Sequence, residues 1–271
     1  MTGKVLRAPA VAGRFYPDDP GTLSETVKEY LGTEQERQRA FGVVSPHAGY
    51  KYSGNVAGAV YARVEIPETV VLMGPNHSGM GPFVAMNSEG SWSTPLGEVA
   101  IDESFAQKFK EAFPWAEDST QAHQKEHSLE TQVPFLQMIR PDVKIVPIVL
   151  KRLQIDAAIT LGQALAETIE KVGGNVLIVA STDMTHFESQ EEAARKDRMA
   201  IEKMEDMNPE GLDETVRGYG ISMCGANSTS AMLHAAQELG AEECKLIKYS
   251  NSGNTTGDFD HVVGYAGLVV T

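Results

Sequence analysis

The chain has 271 residues, is 42% hydrophobic, and carries 23 Lys and Arg against 37 Asp and Glu, a formal net charge of −14. A chain of this length and apolar content buries a sizeable core without disulfide staples. The acidic balance disfavours binding to nucleic-acid phosphates or to an anionic membrane, and reads as a solvated surface. The two cysteines, Cys224 and Cys244, are too few for a disulfide framework. No secretory pattern is seen over Met1–Tyr16, and no run approaches the roughly 18 apolar residues of a membrane span. A cytoplasmic, reducing compartment is therefore expected.

In chain order, Asp19–Leu31 has helical spacing and Gly32–Arg39 is a polar surface run. Phe41–Val44 is apolar and β-branched, as buried parallel strands are, and Asn55–Arg63 is helical. The strand Thr69–Met73 follows, then a hairpin-like excursion over Phe83–Ile101 with the turn Thr94-Pro95-Leu96-Gly97. Helices are expected at Glu103–Ala112 and Leu129–Arg140, a strand at Lys144–Leu150, and a helix at Ile155–Val172. The strand Asn175–Ala180, the helices Ser189–Met207 and Asn227–Leu239, and the strands Cys244–Tyr249 and His261–Val270 complete the chain. Alternating strands and helices predict an α/β fold, a mostly parallel central sheet with helices on both faces. No linker divides the sequence, so residues 1–271 are expected to form a single domain.

Three of the strands end alike. They run into Ser45-Pro46-His47, into Gly74-Pro75-Asn76-His77, and into Ser181-Thr182-Asp183-Met184-Thr185-His186. The carboxyl ends of parallel strands share one edge, where ligands bind, so His47, His77 and His186 can converge. Imidazole suits iron, copper and zinc, and its second nitrogen needs an orienting partner. Asp183, three residues before His186, is a candidate for that partner. Any one of these histidines taken alone reads as a satisfied loop residue, and it is the three at successive strand ends that point to a shared site.

In His123-Gln124-Lys125-Glu126-His127-Ser128-Leu129-Glu130, Ser128 reads as a helix cap and Glu130 as a first-turn acid. His123 and His127 are left unexplained, because the full helical zinc motif is absent. Cys224 lies in a glycine-flanked turn before a helix, where a thiolate would be stabilised for metal binding or for attack on carbon. A lone cysteine is otherwise a small buried hydrophobe, the reading given to Cys244. There is no nucleophile elbow, no dinucleotide fingerprint and no Cys-x-x-Cys pair.

Taken together, these segments resemble the Memo-like family, the B component of the AmmeMemoRadiSam system. The matching stretches are Ala12–Pro17, Ser45–Tyr50, Gly74–His77, Thr94–Gly97, Glu126–Glu130 with Pro134–Leu136, Asp183–His186, Met223–Gly225 and Val263–Tyr265. The resemblance implies a fold like the catalytic subunit of class III extradiol dioxygenases. It also implies that His47, His77 and Cys224 occupy the family's metal positions, with Asp183 and His186 in the same pocket. A thiolate would replace the dioxygenase carboxylate, favouring copper or zinc alongside iron.

Three functions follow as competing expectations. In the first, iron or copper (or zinc) on His47, His77 and Cys224 supports redox or dioxygenase-like chemistry on a small phenolic or acidic substrate. His186, oriented by Asp183, would be the general base there, and His127 would hydrogen-bond the substrate. In the second, the pocket binds a peptide or small ligand without turnover, as a scaffold protein. In the third, Cys224 is a hydrolase nucleophile needing no metal.

Overall fold

The computed structural model describes residues 6–33 and 36–271. The chain enters with the two-residue strand β1 (Leu6–Arg7) and helix α1 (Pro20–Leu31), whose N-cap Asp19 accepts the Thr22 N–H at 2.8 Å. Strand β2 (Gly42–Ser45), helix α2 (Tyr50–Tyr61) and strand β3 (Thr69–Pro75) follow. Next come β4 (Val84–Met86), the hairpin of β5 (Ser91–Thr94) and β6 (Gly97–Ile101), and α3 (Glu103–Ala112). Strand β7 (Ala116–Asp118), helix α4 (Thr120–Gln124), a 3-10 turn at Glu130–Gln132 and helix α5 (Val133–Ile139) lead to β8 (Lys144–Leu150). Helix α6 (Ile155–Val172) crosses to β9 (Val176–Ser181), and β10 (His186–Glu188) follows. Helices α7 (Gln190–Glu205), α8 (Pro209–Gly218) and α9 (Ala226–Glu238) precede β11 (Cys244–Asn251), the one-turn α10 (Gly253–Thr256) and β12 (Val262–Val270).

The expected α/β architecture is present. Strands β8, β3, β9 and β2 lie side by side and parallel, with Val70 facing both Ile145 and Leu177, and Val43 facing Val179. The flanks are mixed. β12 is antiparallel to β2 and carries β11 on its other side, while β4 and the β5–β6 hairpin extend the sheet beyond β8. Alternate residues of one strand feed opposite faces. Val70 and Leu72 pack with Leu23 of α1, Val60 of α2 and Phe135 of α5. Val71 and Met73 pack with Phe109 of α3, Leu165 of α6 and Met232 of α9. Among the described residues no helix is long and apolar enough to cross a membrane.

Several local expectations need correction. Helix α2 begins five residues early, at Tyr50, behind an uncapped Gly49. Ser128 caps nothing, because α5 starts only at Val133, and the Ser128 hydroxyl instead donates to the Pro75 carbonyl at 3.0 Å. Glu130 does not serve a helix dipole. Its buried carboxylate pairs with Arg7 at 2.9 Å and accepts from the Tyr16 hydroxyl and the Ala10 and Val11 amides, tying the N-terminal segment to the 3-10 turn before α5. Both cysteines are free, with Cys244 buried as expected. Of the polar run Gly32–Arg39, residues 34 and 35 lie outside the described residues, and Gln38 bridges to Val64.

His123 is a structural residue. Its ring sits edge-on to Trp92 at 5.7 Å, and its Nε2–H donates to the Ala85 carbonyl at 3.2 Å. Its own carbonyl accepts from Arg7 Nε at 2.7 Å. Burial, and then the Arg7 charge, push its pKa down to about 4. Between that value and about 6.5 the unfolded chain binds the extra proton, so the contribution of His123 to stability should rise with pH across this window. The His123→Gln variant should lose this rise, which is worth up to about 3 kcal/mol, in urea melts at pH 4.5 and 7.

Helices α6 and α9 meet at Gly162, where an added Cβ would lie 2.5 Å from the Ala231 carbonyl oxygen. Helix propensity favours alanine by up to about 1 kcal/mol, but a backbone atom cannot move aside. Gly162→Ala should therefore destabilise the protein by about 1–3 kcal/mol, measured from the urea midpoint.

Candidate metal centre

The parallel register fixes where the strand ends fall. Ser45 lies beside Ser181, Met73 beside Ala180, and Pro75 beside Leu150, so all four strands finish on one edge. His47 follows β2 by two residues, and His77 follows β3 by two. Cys224 reaches the same edge from the loop between α8 and α9. This approach depends on Gly225, where any Cβ would collide with the Ser181 carbonyl and the Thr182 side chain. One ligand atom from each of His47, His77 and Cys224 lies within 4.8 Å of the other two. His47 Nε2 is 3.4 Å from Cys224 Sγ. His127 completes the cluster, stacked on His77 with ring centroids 4.6 Å apart and 5.5 Å from His47.

Hydrogen bonds fix the histidine protons. The Ser181 hydroxyl donates to the Ser128 carbonyl at 2.6 Å and accepts from Gln132 Nε2 at 3.0 Å. Its one proton is thus committed, so the 2.9 Å contact with His47 Nδ1 must be donated by the imidazole. The Nε2 lone pair of His47 then faces Cys224. Burial, followed by the neighbouring His77 and His127 rings, holds the His47 pKa well below its usual value, so the ring is neutral at pH 7. Gln132 is itself held, donating also to the Pro46 carbonyl at 2.9 Å and accepting from the Tyr61 hydroxyl at 2.8 Å.

Glu126 does the same for His77. Its Oε1 accepts from His77 Nδ1 at 2.8 Å and its Oε2 from the His77 backbone N–H at 2.6 Å. The His127 and Ser128 amides donate to Oε1, each at 2.9 Å. Burial alone would raise the Glu126 pKa. The His77 ring bond, the charge of the histidines and the backbone donors outweigh it and hold the carboxyl well below the usual range. Sequence reasoning passed over Glu126, Ser181 and Gln132. A glutamate directly before His127 was the available signal, since a metal-site histidine needs a carboxylate or carbonyl behind it. Glu126 also groups with His77 and His127 as a second possible ligand set.

The remaining candidates are placed differently from expectation. Asp183 does not hydrogen-bond His186. The chain turns away after β9, and the buried Asp183 carboxylate instead accepts the His47 N–H at 2.8 Å. Burial raises its pKa to about 6 against that bond. His186 is held by Ser222, whose carbonyl accepts from Nδ1–H at 3.1 Å and whose hydroxyl accepts the His186 N–H at 2.7 Å. In the neutral tautomer that this bond selects, Nε2 carries the lone pair. The next residue, Phe187, has φ of 60° and is 72% exposed, with its ring 5.8 Å from that of His186. The helix start does not acidify Cys224. Burial and then the Asp183 charge push the thiol up to about 12, against the Asp183 N–H, which donates to Sγ at 3.3 Å.

A cleft of about 530 Å³ opens on this edge, lined by His77, Ser222, Met223 and Cys224 together with residues following β8. A larger hollow of about 930 Å³ lies at the opposite, amino-terminal edge, beside Thr69 and Val176, and holds none of the candidate residues.

The chain is similar to known proteins along nearly its whole length. The family model described as "Memo-like protein" matches residues 7–269. A MEMO1 family protein of Methanopyrus kandleri is 40% identical over 97% of this chain and 98% of its own length. One from Aquifex aeolicus is 42% identical at the same coverage, and one from Methanocaldococcus jannaschii is 38% identical over 98% of this chain and 99% of its own. Matched along nearly its whole length, the chain belongs to the Memo-like family.

Proposed function

We propose that this protein is metal-dependent, with the ion held by His47, His77 and Cys224, and that it carries out redox or dioxygenase-like chemistry on a small phenolic or acidic substrate. The observation that carries this reading is the convergence of one nitrogen from each of two imidazoles and one thiol, with each Nδ1 proton committed to an acceptor. Donors on one ion bound through imidazole and thiolate stand roughly 3.5 Å apart, and His47 Nε2 and Cys224 Sγ are 3.4 Å apart. The donor set therefore fits an ion. Two imidazoles and a soft sulfur suit copper, iron or zinc, and a redox-active ion would supply the electron transfer and the activation of a bound phenol.

The chain's own residues would do the rest. Ser181 and Glu126 hold the two imidazoles in the ligating tautomer. His186, with Nδ1–H tied to the Ser222 carbonyl, offers Nε2 as the base for a substrate proton. His127, packed between Phe15 at 4.8 Å and His77, would hydrogen-bond a substrate hydroxyl. A thiol pushed up to about 12 is a poor nucleophile at neutral pH, which counts against the metal-free hydrolase. The same burial makes ion binding proton-releasing, since the bound form is the thiolate.

Metal analysis of protein purified without chelator tests the centre. Wild type should retain near-stoichiometric iron, copper or zinc. His47→Ala and Cys224→Ala should lose it, and Glu126→Gln should weaken retention about 10- to 100-fold. Equal metal content in wild type and in His47→Ala and Cys224→Ala would mean that the ligands are misassigned.

Turnover separates an enzyme from a scaffold. Phenols, catechols and aromatic acids incubated under oxygen with the loaded protein should be consumed by wild type. The rate should fall about 100-fold or more in His186→Ala, within the range removed with a general base. Reproducible ligand binding with no consumption would favour the non-catalytic peptide- or ligand-binding role.

A further inference from the structure

The reading above leaves the other wall of the cleft unused. Besides His77 and Cys224, the cleft is lined by Lys151, Arg152 and Arg217, and Asp213 is the one acidic side chain among its described lining residues. That is the reverse of the chain as a whole, where acids outnumber bases 37 to 23. Asp213 is already committed, pairing with Arg217 at 2.8 Å, while Arg217 also donates to the Leu153 carbonyl at 3.1 Å. The net charge left in the cleft is that of Lys151 and Arg152. Neither makes an ion pair among the described residues, and the Lys151 ammonium donates only to the Gly81 carbonyl, at 2.6 Å.

Position and surroundings give these two charges a direction. They directly follow β8, whose end lies beside that of β3, so they stand on the same edge as His77. The lining of the same cleft also includes the apolar Leu150, Val216, Ile221 and Met223. Beside such residues a cation attracts an anion more strongly than it does in open water. The first turn of α9, with no side-chain cap, lines the same cleft and adds a potential of the same sign.

We propose that this cleft binds a small acid by its oxyanion group, carboxylate or phosphate, at Lys151 and Arg152, with the molecule's apolar body lying along Met223 toward His77 and Cys224. As an account of the substrate this rests on the metal-centre reading. The binding itself needs no ion, so the two can fail separately.

The test is calorimetric titration of the full chain, stripped with chelator, at low salt. The probes are benzoate, phenyl phosphate and the neutral benzamide. One or both anions should bind at least tenfold more tightly than benzamide, and whichever is tighter identifies the head group. Arg152→Ala should weaken that anion about tenfold and Lys151→Ala/Arg152→Ala further, while benzamide is unaffected and metal content stays at the wild-type level. Arg152 is exposed and Lys151 half-buried, and a thermal melt of each variant checks that folding is intact. Benzamide binding as tightly as both anions, absence of binding by either anion, or anion binding unchanged in the double variant would each overturn the proposal. Anion binding that persists where the metal assay fails supports the cleft and rejects only the metal centre.

Discussion

The carboxylate of Glu126 is the interaction on which the pocket depends. A negative charge is held inside the protein, and it is held because four N–H groups point at it: three from the backbone at His77, His127 and Ser128, and one from the His77 ring. Burying a carboxylate without such donors costs several kcal/mol. The two loops that carry these donors, one after β3 and one before α5, are therefore locked to each other through a single side chain. The stacking of His127 on His77 and the position of both relative to His47 follow from that lock.

A second device, built on uncharged groups, does the same for His47. Ser181 at the end of β9, Gln132 in the 3-10 turn and Tyr61 at the end of α2 form one chain of donors and acceptors with no freedom left in it. Each link is buried, so reversing any one of them would leave an unpaired polar group. The result is that the proton positions on the His47 and His77 rings are set by atoms that would never touch an ion. What distinguishes this pocket from a two-histidine, one-carboxylate arrangement is the sulfur, whose proton must leave before an ion can be held.

The parallel centre of the sheet was legible because its strands are short apolar runs, three of them followed by Pro or Ser and then His, and His47 and His77 were legible for the same reason. Cys224 stood out through its glycine-flanked turn, while the ligand set came from family resemblance. The rest was hidden for physical causes. Glu126 looked like one more solvated acid in a chain rich in them, because burial is decided by residues far away in sequence. His123 and His127 share a four-residue spacing, yet one ends against Trp92 and the other in the pocket, since helix α4 stops at Gln124, one residue after His123, and no helix links the two. Asp183 was assigned to His186 by proximity in sequence, but a buried carboxylate goes to the nearest unpaired amide, and that belongs to His47. Helix α8 carried a readable start, Asn208 followed by Pro209, that the apolar periodicity alone did not bring out.

The place of β12 in the sheet has a consequence for how the chain comes to be folded. It lies between β2 and β11 and also pairs with β10, so strands from early and late in the sequence are neighbours. During synthesis β2 emerges long before the strand that will cover its outer side. Until Val262–Val270 arrives, that side of β2 has open amides and carbonyls and an uncovered apolar strip, the kind of edge that invites pairing with another chain. Contacts this distant in sequence also slow folding. The step most exposed to aggregation is thus the wait for the latest-made strand, and a holding chaperone would be most useful during that interval.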